Sequence, residues 1–162
     1  RSKWKSEQLF EQVSFPYSIL RTALVYGVLQ DLSRSNIVLW AKAALEKGEK
    51  INVVDDQYRC PTLAEDLACS CLQVIQENAI GVYHVSGKDF LSILELVFEI
   101  ADYWGLDKSL INSISTDGLN QKARRPLKTN LNLSKAKQGF NYQPKSFREG
   151  LKLLDEQIKK EN

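Results

Sequence analysis

Glycine is sparse in this chain, and the few glycines lie far apart. There are 8 in 162 residues, and the closest pair, Gly81 and Gly87, is six positions apart. A Gly-x-Gly-x-x-Gly loop needs three glycines within six residues, and a P-loop needs two flanking four residues before a lysine. Both motifs are therefore missing. The sequence excludes a dinucleotide pyrophosphate loop or a P-loop built from this chain.

Metal ligands and paired cysteines are also scarce. The single histidine, His84, lies in an apolar strand pattern, and we expect it to be a packed or hydrogen-bonded strand residue. Cys69 and Cys71 are two apart on a predicted helix, so their side chains point in different directions. We predict no metal site, no catalytic triad and no disulfide. Cys60, Cys69 and Cys71 are predicted to be small buried hydrophobes.

Long apolar runs and strong net charge are missing as well. No segment approaches the roughly 18 apolar residues that cross a bilayer, and no apolar core follows the charged N-terminal residues, as a secretory signal would require. The formal net charge is +2, which gives no general attraction to nucleic acid or acidic membranes. We expect a cytoplasmic protein that comprises one domain, or a large part of one. We expect neither nucleic acid nor a membrane as its partner.

What the sequence does contain is an alternation of strand and helix patterns. Strands are predicted at 17–26, 51–55, 81–87 and 111–115. Helices are predicted at 2–13, 36–46, after Thr62, from Ser92 to Gly105 and from Ser146. The helix after Thr62 is expected to bury one stripe, listed as Leu63, Leu67, Ala68, Cys71, Leu72 and Ile75. This order predicts an α/β fold with parallel strands.

The run from Val53 to Thr62 is the most informative segment. The apolar pair Val53-Val54 precedes a polar loop, and a predicted helix then begins at Pro61-Thr62. Because open α/β sheets bind ligands at strand ends, Gln57, Tyr58 and Arg59 are candidates to face a ligand. Thr62 and Glu65 have the spacing of a capping box, as do Ser92 with Glu95 and Ser146 with Glu149. A plain strand-loop-helix connection remains the alternative.

A local concentration of cations follows in the long polar segment 117–130. Arg124, Arg125 and Pro126 are adjacent, with Lys122 and Lys128 close by. Arginine forks match the geometry of phosphate, and proline would stiffen the loop that presents them. The alternative is a solvated loop without a ligand.

Five blocks of the sequence, in order, resemble the C-terminal half of the extended short-chain dehydrogenase/reductases, and among them the dTDP-4-dehydrorhamnose reductase family. These blocks are Ser2-Lys3 with Glu7, Ile19 to Gly27, Val53 to Ala68, Gly81 to Gly87, and Arg125 to Thr129. The resemblance implies a Rossmann-like α/β portion that lacks the N-terminal dinucleotide-binding half. Residues 1–162 would form one C-terminal substrate-binding portion. Residues 1–27 would be the end of the core helix and the following strand, and 28–162 the substrate-binding region with interleaved core strands.

The resemblance also implies roles for particular residues. Lys3 matches the lysine of a Tyr-x-x-x-Lys motif whose tyrosine would lie two positions before Arg1. It would lower the pKa of that tyrosine and hold the nicotinamide ribose of NADP or NAD, which the missing half would bind mainly. Ala23 and Leu24 would lie near the cofactor, and Leu24 also near the sugar. Gln57, Pro61 and Arg125 would line the nucleotide-sugar substrate.

Two departures from the family pattern bear on the substrate. The family has Ser-Trp where this chain has Ala23-Leu24, and Asn-Ser where it has Lys128-Thr129. Loss of the tryptophan, which covers the sugar, puts the sugar in question more than the fold.

The function implied is hydride transfer to the C4 ketone of a nucleotide-linked deoxysugar. Two alternatives remain open within the superfamily: a non-catalytic regulatory subunit, and a nucleotide-sugar epimerase or dehydratase. The 162 residues alone are expected to be inactive, because tyrosine and dinucleotide loop are absent. A homodimer is left open.

Overall fold

The computed structural model describes residues 2–28, 36–119 and 125–161, and it has the predicted α/β class. The helices are α1 (Ser2–Phe10), α2 (Ile37–Glu46), α3 (Ala64–Gln76), α4 (Ile93–Trp104), α5 (Ser134–Phe140) and α6 (Phe147–Glu161). The strands are β1 (Ser18–Arg21), β2 (Val25–Tyr26), β3 (Ile51–Val54), β4 (Tyr58–Arg59), β5 (Thr62–Leu63), β6 (Gly81–His84), β7 (Leu91–Ser92) and β8 (Ile111–Ile114). The predicted division of the chain after Gly27 stays a prediction.

The described strands form four pairs, and three of the pairs are parallel. β1 runs beside β6, β2 beside β5 and β3 beside β8, whereas β4 and β7 are antiparallel. Parallel partners require long crossover connections, and helices α2, α3 and α4 lie within those connections. The parallel arrangement predicted from the alternation is confirmed.

The single strand predicted for 17–26 is wrong. β1 ends at Arg21 and β2 begins at Val25, because Leu24 has a φ of 47° and turns the chain. This left-handed backbone is incompatible with continued pleating. The chain thus leaves one parallel pair and enters another within three residues. Apolar composition alone does not reveal such a break.

Two hydrophobic clusters hold these elements together. The larger cluster packs α2, α4 and α6 against β3, and its fully buried members include Val38, Leu96, Ile100 and Leu151. The smaller cluster lies between α3, β6 and α5 and is built around Val74, Tyr83, Val85, Ala136 and Phe140. In the smaller cluster the rings of Tyr83 and Phe140 meet edge to face, with centroids 5.2 Å apart.

The buried stripe predicted for α3 is wrong over most of its length. The buried residues are Asp66, Ser70 and Val74, while Leu72 and Ile75 are exposed. A polar residue occupies the inner face because the Asp66 carboxylate accepts hydrogen bonds from the backbone N–H and the Nζ of Lys145, at 2.8 and 2.7 Å. Satisfied in this way, the carboxylate can be buried at little cost.

The same helix corrects the prediction for the cysteines. Cys60 is buried, as expected, but Cys69 and Cys71 on α3 are exposed. The inner face of α3 runs through Asp66, Ser70 and Val74, and both cysteines lie outside it.

Two of the three predicted capping boxes are confirmed. Ser92 and Glu95 exchange both bonds at the start of α4, and Ser146 and Glu149 do so at the start of α6. The box at Thr62 is wrong, because α3 begins at Ala64 and its N-cap, Leu63, makes no side-chain bond. Among the described helices, none is long and apolar enough to cross a membrane.

Candidate functional site

Strand β4 brings two distant sequence motifs together. Tyr58 pairs with Ser92 of β7 on one side and forms a parallel bridge to Lys128 on the other. The Tyr58 N–H donates to the Leu127 carbonyl at 2.6 Å, and the Thr129 N–H donates to the Tyr58 carbonyl at 3.0 Å. The segment that follows Arg125 therefore runs as an added edge beside β4. The two stretches predicted to contact a ligand are neighbours in space.

Arg59 fixes this arrangement through its side chain. Its two terminal nitrogens donate to the carbonyl oxygens of Leu127 at 3.0 Å and Pro126 at 2.8 Å. They also reach the Tyr58 carbonyl at 2.7 Å and the Gln57 amide oxygen at 2.9 Å. All four acceptors are neutral, so none of these bonds cancels the charge of the guanidinium.

A second positive charge lies close to the first. The pKa of the Arg59 guanidinium is held below its usual range, first by burial and then by the charge of Arg125. Arg125 itself is exposed. Two guanidinium groups that repel each other, one anchored and one accessible, form a surface that an anion would stabilise. Lys122 and Arg124 lie outside the described residues.

Gln57 lies beneath these cations. It is only 4% exposed, and its amide nitrogen donates to the Thr116 hydroxyl at 3.0 Å while its amide oxygen accepts from Arg59. The Thr116 hydroxyl and N–H in turn donate to the Asp56 carboxylate, which lowers the pKa of Asp56. Gln57 thus connects Arg59 to the end of β8.

An aromatic surface adjoins the cations. The rings of Tyr58 and Phe90 lie 5.6 Å apart, and the Lys128 Nζ sits 5.4 Å from the centre of the Tyr58 ring. Phe90 is 37% exposed. Sequence reasoning missed Phe90, although an aromatic residue just before a strong capping box at the edge of a sheet is a usable signal. Flat rings beside cations suit a ligand that combines a ring with phosphate.

A second part of the candidate site is built around Pro61 and Thr62. Pro61 is buried, and its carbonyl oxygen lies so close to Gly87 that a Cβ added there would be 1.9 Å away. Gly87 is thus required for this contact. The Thr62 N–H donates to the Leu24 carbonyl at 3.0 Å and its hydroxyl to the Ala23 carbonyl at 2.7 Å. Ala23 and Leu24 are both partly buried.

Lys3 lies elsewhere, exposed on α1. That helix is joined to the end of β1 by an ion pair in which the Arg21 fork holds the Glu7 carboxylate, with Nε and Nη2 at 3.0 and 2.5 Å. The described contacts thus gather Gln57, Pro61 and Arg125 around β4 and place Lys3 on a separate helix.

An apolar cleft of about 640 Å³ opens between β1 and α3. Its lining includes Tyr17, Leu20, Leu67, Ile75 and Ile80. Within the described residues, β1 pairs only with β6, so its other edge is open beside this cleft. Also among those residues, no group of three or more His, Cys, Asp or Glu side chains is placed to hold a metal ion.

Comparison with known proteins identifies the family. The family model described as the RmlD substrate binding domain matches residues 1–159. The chain belongs to this family. As an RmlD substrate-binding domain, it also resembles a solved dTDP-4-dehydrorhamnose reductase from Bacillus anthracis in complex with NADP, with a TM-score of 0.84 and 28% identity over 96% of this chain and 54% of that one.

Two relatives show how widely this RmlD-type sequence is shared. A dTDP-4-dehydrorhamnose reductase of Aggregatibacter actinomycetemcomitans is 28% identical over 94% of this chain and 54% of its own length. Methionine adenosyltransferase 2 subunit beta of Xenopus laevis is 27% identical over 94% of this chain and 47% of its own length. The chain therefore spans about half the length of the relatives it matches.

Proposed function

We propose that this chain is the substrate-binding part of an NAD(P)H-dependent reductase acting on the C4 ketone of a nucleotide-linked deoxysugar. The observation that carries the proposal is the convergence of Arg59, Arg125 and the Tyr58–Phe90 rings around β4, just before Thr62, which bonds Ala23 and Leu24, in a chain of the RmlD family. Membership of the family supports the reaction. The geometry supports a phosphate-bearing substrate.

On this proposal one part of the site binds an anion. It is formed by Arg59 and by the segment that begins at Arg125. Arg125 contacts the diphosphate of the substrate because its side chain is exposed. Pro61 lines the sugar side. Gln57 acts through Arg59, since both ends of its amide are already bonded, the nitrogen to Thr116 and the oxygen to Arg59.

The reaction side would involve Ala23, Leu24 and Lys3. The cofactor, when bound, supplies the hydride. Ala23 offers a small surface against which a flat nicotinamide ring fits, and Leu24 an apolar one that also borders the sugar. The exposed ammonium of Lys3 is accessible to hydrogen-bond the ribose. Its charge would favour ionisation of the upstream tyrosine that we propose as proton donor.

We further propose that the open edge of β1 and the β1–α3 cleft are covered by a dinucleotide-binding half of the same protein. Large apolar side chains are exposed on this chain, among them Trp4, Phe15, Ile75 and Ile80, and the two isoleucines line the cleft. Exposed apolar side chains around an apolar cleft are typical of an interface. A homodimer and a cytoplasmic location stay predictions.

The test is oxidation of NADPH or NADH by the longer protein with a dTDP-linked 4-keto-6-deoxy sugar. Lys3→Ala is expected to abolish turnover, while Lys5→Ala, an exposed lysine on the same helix, is expected to leave it unchanged. Reduced cofactor should disappear in proportion to product, which an epimerase or dehydratase would not show. Equal activity in both variants would remove Lys3 from the mechanism.

A second candidate is a non-catalytic subunit of a larger enzyme. It is favoured by the likeness to methionine adenosyltransferase 2 subunit beta and by Ala23-Leu24 in place of the family's Ser-Trp. A folded longer protein that binds NADPH yet turns over no nucleotide-linked keto sugar would favour this candidate.

A further inference from the structure

Thr62 joins the two parts of the proposed site and is a fully enclosed polar residue. Its exposure is 0%. The hydroxyl donates to the Ala23 carbonyl at 2.7 Å and accepts from the Thr22 hydroxyl at 3.2 Å. With its backbone bond to Leu24, Thr62 contacts all three residues between β1 and β2.

The segment it holds needs such support. Leu24 adopts a φ of 47°, a left-handed conformation that is strained for a residue other than glycine and persists only where surrounding contacts enforce it. Residues 22–24 lie between two strands and belong to neither. Regular pairing resumes at Val25, which is in register with Thr62 itself. The threonine thus supplies bonds where strand pairing stops.

The hydroxyl is not engaged in capping a helix. Helix α3 begins two residues later, with Leu63 as its N-cap. The Cys60 carbonyl lies 3.5 Å from the Thr62 hydroxyl, too far to compete with the Ala23 carbonyl. The threonine hydroxyl that suggested a capping box instead bonds the turn between β1 and β2.

We propose that Thr62 is a positioning residue: by fixing the backbone of Ala23 and Leu24, it sets the surface against which the nicotinamide and the sugar align. This role rests on the proposed function. Because the proposed function assigns binding of the nucleotide to Arg125, loss of the Thr62 hydroxyl should disturb the alignment of cofactor and sugar more than the affinity for the sugar nucleotide.

Three variants test the proposal, with a matched control. Thr62→Val removes the hydroxyl at nearly constant shape, Thr62→Ala does so without added bulk should valine fail to fold, and Thr62→Ser restores it. Ser70→Ala is the control, because Ser70 is equally buried and donates to the Asp66 carbonyl at 2.7 Å, away from this segment.

The first readout is hydrogen–deuterium exchange of the 162-residue chain. Thr62→Val or Thr62→Ala should accelerate exchange over residues 22–26 by about 10-fold, the effect of losing one buried hydrogen bond. Thr62→Ser and Ser70→Ala should match the wild type there. Unchanged exchange in the valine and alanine variants would overturn the proposal.

The second readout is turnover by the longer protein. Thr62→Val should lower kcat by about 10- to 100-fold with the KM for the sugar nucleotide changed by less than about 3-fold, and serine should restore kcat. An unaltered kcat, or a loss that Ser70→Ala reproduces, would overturn the positioning role. If the wild type itself shows no turnover, the proposed function fails, while the exchange comparison still decides whether Thr62 fixes the segment.

Discussion

The guanidinium of Arg59 donates to the Pro126 carbonyl at 2.8 Å, across 67 positions of sequence. Together with its bond to Leu127, this contact makes the position of Arg125 depend on a residue of strand β4. Arg59 therefore has two roles in the proposed site: it holds the edge segment, and it adds charge to it. Several expected outcomes depend on this relationship.

Removal of Arg125 should weaken substrate binding more than catalysis. In the longer protein, Arg125→Ala is expected to raise the KM for the sugar nucleotide by about 10- to 100-fold, because a charge-assisted phosphate contact contributes about 1.5–3 kcal/mol. The kcat should change little. Arg148→Ala, an exposed arginine on α6, serves as the control. An unchanged KM would remove Arg125 from the substrate site.

Replacement of Arg59 should show that geometry matters as well as charge. Lysine keeps the charge but cannot form the fork that joins Pro126, Leu127 and Gln57, so Arg59→Lys should raise the sugar-nucleotide KM nearly as much as Arg59→Met. Steady-state kinetics of both variants checks this. If lysine restores the wild-type KM, charge alone accounts for the role of Arg59.

Stability should fall in acid through the start of α6. The pKa of Glu149 is lowered from 4.5 to about 2, because the Ser146 hydroxyl and N–H donate to its carboxylate and Lys88 lies nearby. A lowered folded-state pKa means that the stabilisation is complete above pH 4.5 and is lost as the pH falls towards 2.

Urea unfolding between pH 6 and pH 2 measures this effect. Glu149→Gln should be less stable than wild type near neutral pH, and the difference should shrink in acid. Glu46→Gln, whose carboxylate pairs with Lys42 on α2, is a control for loss of an ordinary surface ion pair. A difference between wild type and Glu149→Gln that stays constant with pH would contradict the assignment.

The β1–α3 cleft should be covered in the longer protein. Ile75 lines this cleft and is 71% exposed in the chain. Ile75→Ala should change the free energy of unfolding of the 162-residue chain by less than about 0.5 kcal/mol, but cost about 2–5 kcal/mol once a second half covers it. Gln76→Ala, exposed and outside the cleft lining, should be neutral in both. If Ile75→Ala lowers the free energy of unfolding only slightly in both proteins, the proposal that a second half covers the cleft is contradicted.

Local chemistry allowed much of the fold to be predicted. The alternation of strands and helices and the boxes at Ser92 and Ser146 follow from periodicity and from short-range hydrogen bonding, and the structure confirms them. The blocks of residues that indicated the family are equally local. The family model confirms that indication.

Other features depended on partners distant in sequence. Asp66 could face inward on α3 only because Lys145 reaches it, and Leu72 and Ile75 lie on the outside as a result. The Thr62 hydroxyl donates to the Ala23 carbonyl and does not form the expected helix cap. Neither partner can be read from a window of a few residues.

The sequence by itself therefore determined the class of the fold, the approximate positions of the main helices, the family and the residue types of the candidate site. Only the tertiary structure decided which of those residues are exposed to solvent and which are enclosed: Arg125 is exposed, Gln57 is enclosed, and Arg59 bonds both Gln57 and the segment after Arg125. The physical reason is that helix caps and periodic burial depend on neighbours in the chain. The sharing of hydrogen bonds among buried polar groups depends on which segments the fold brings together.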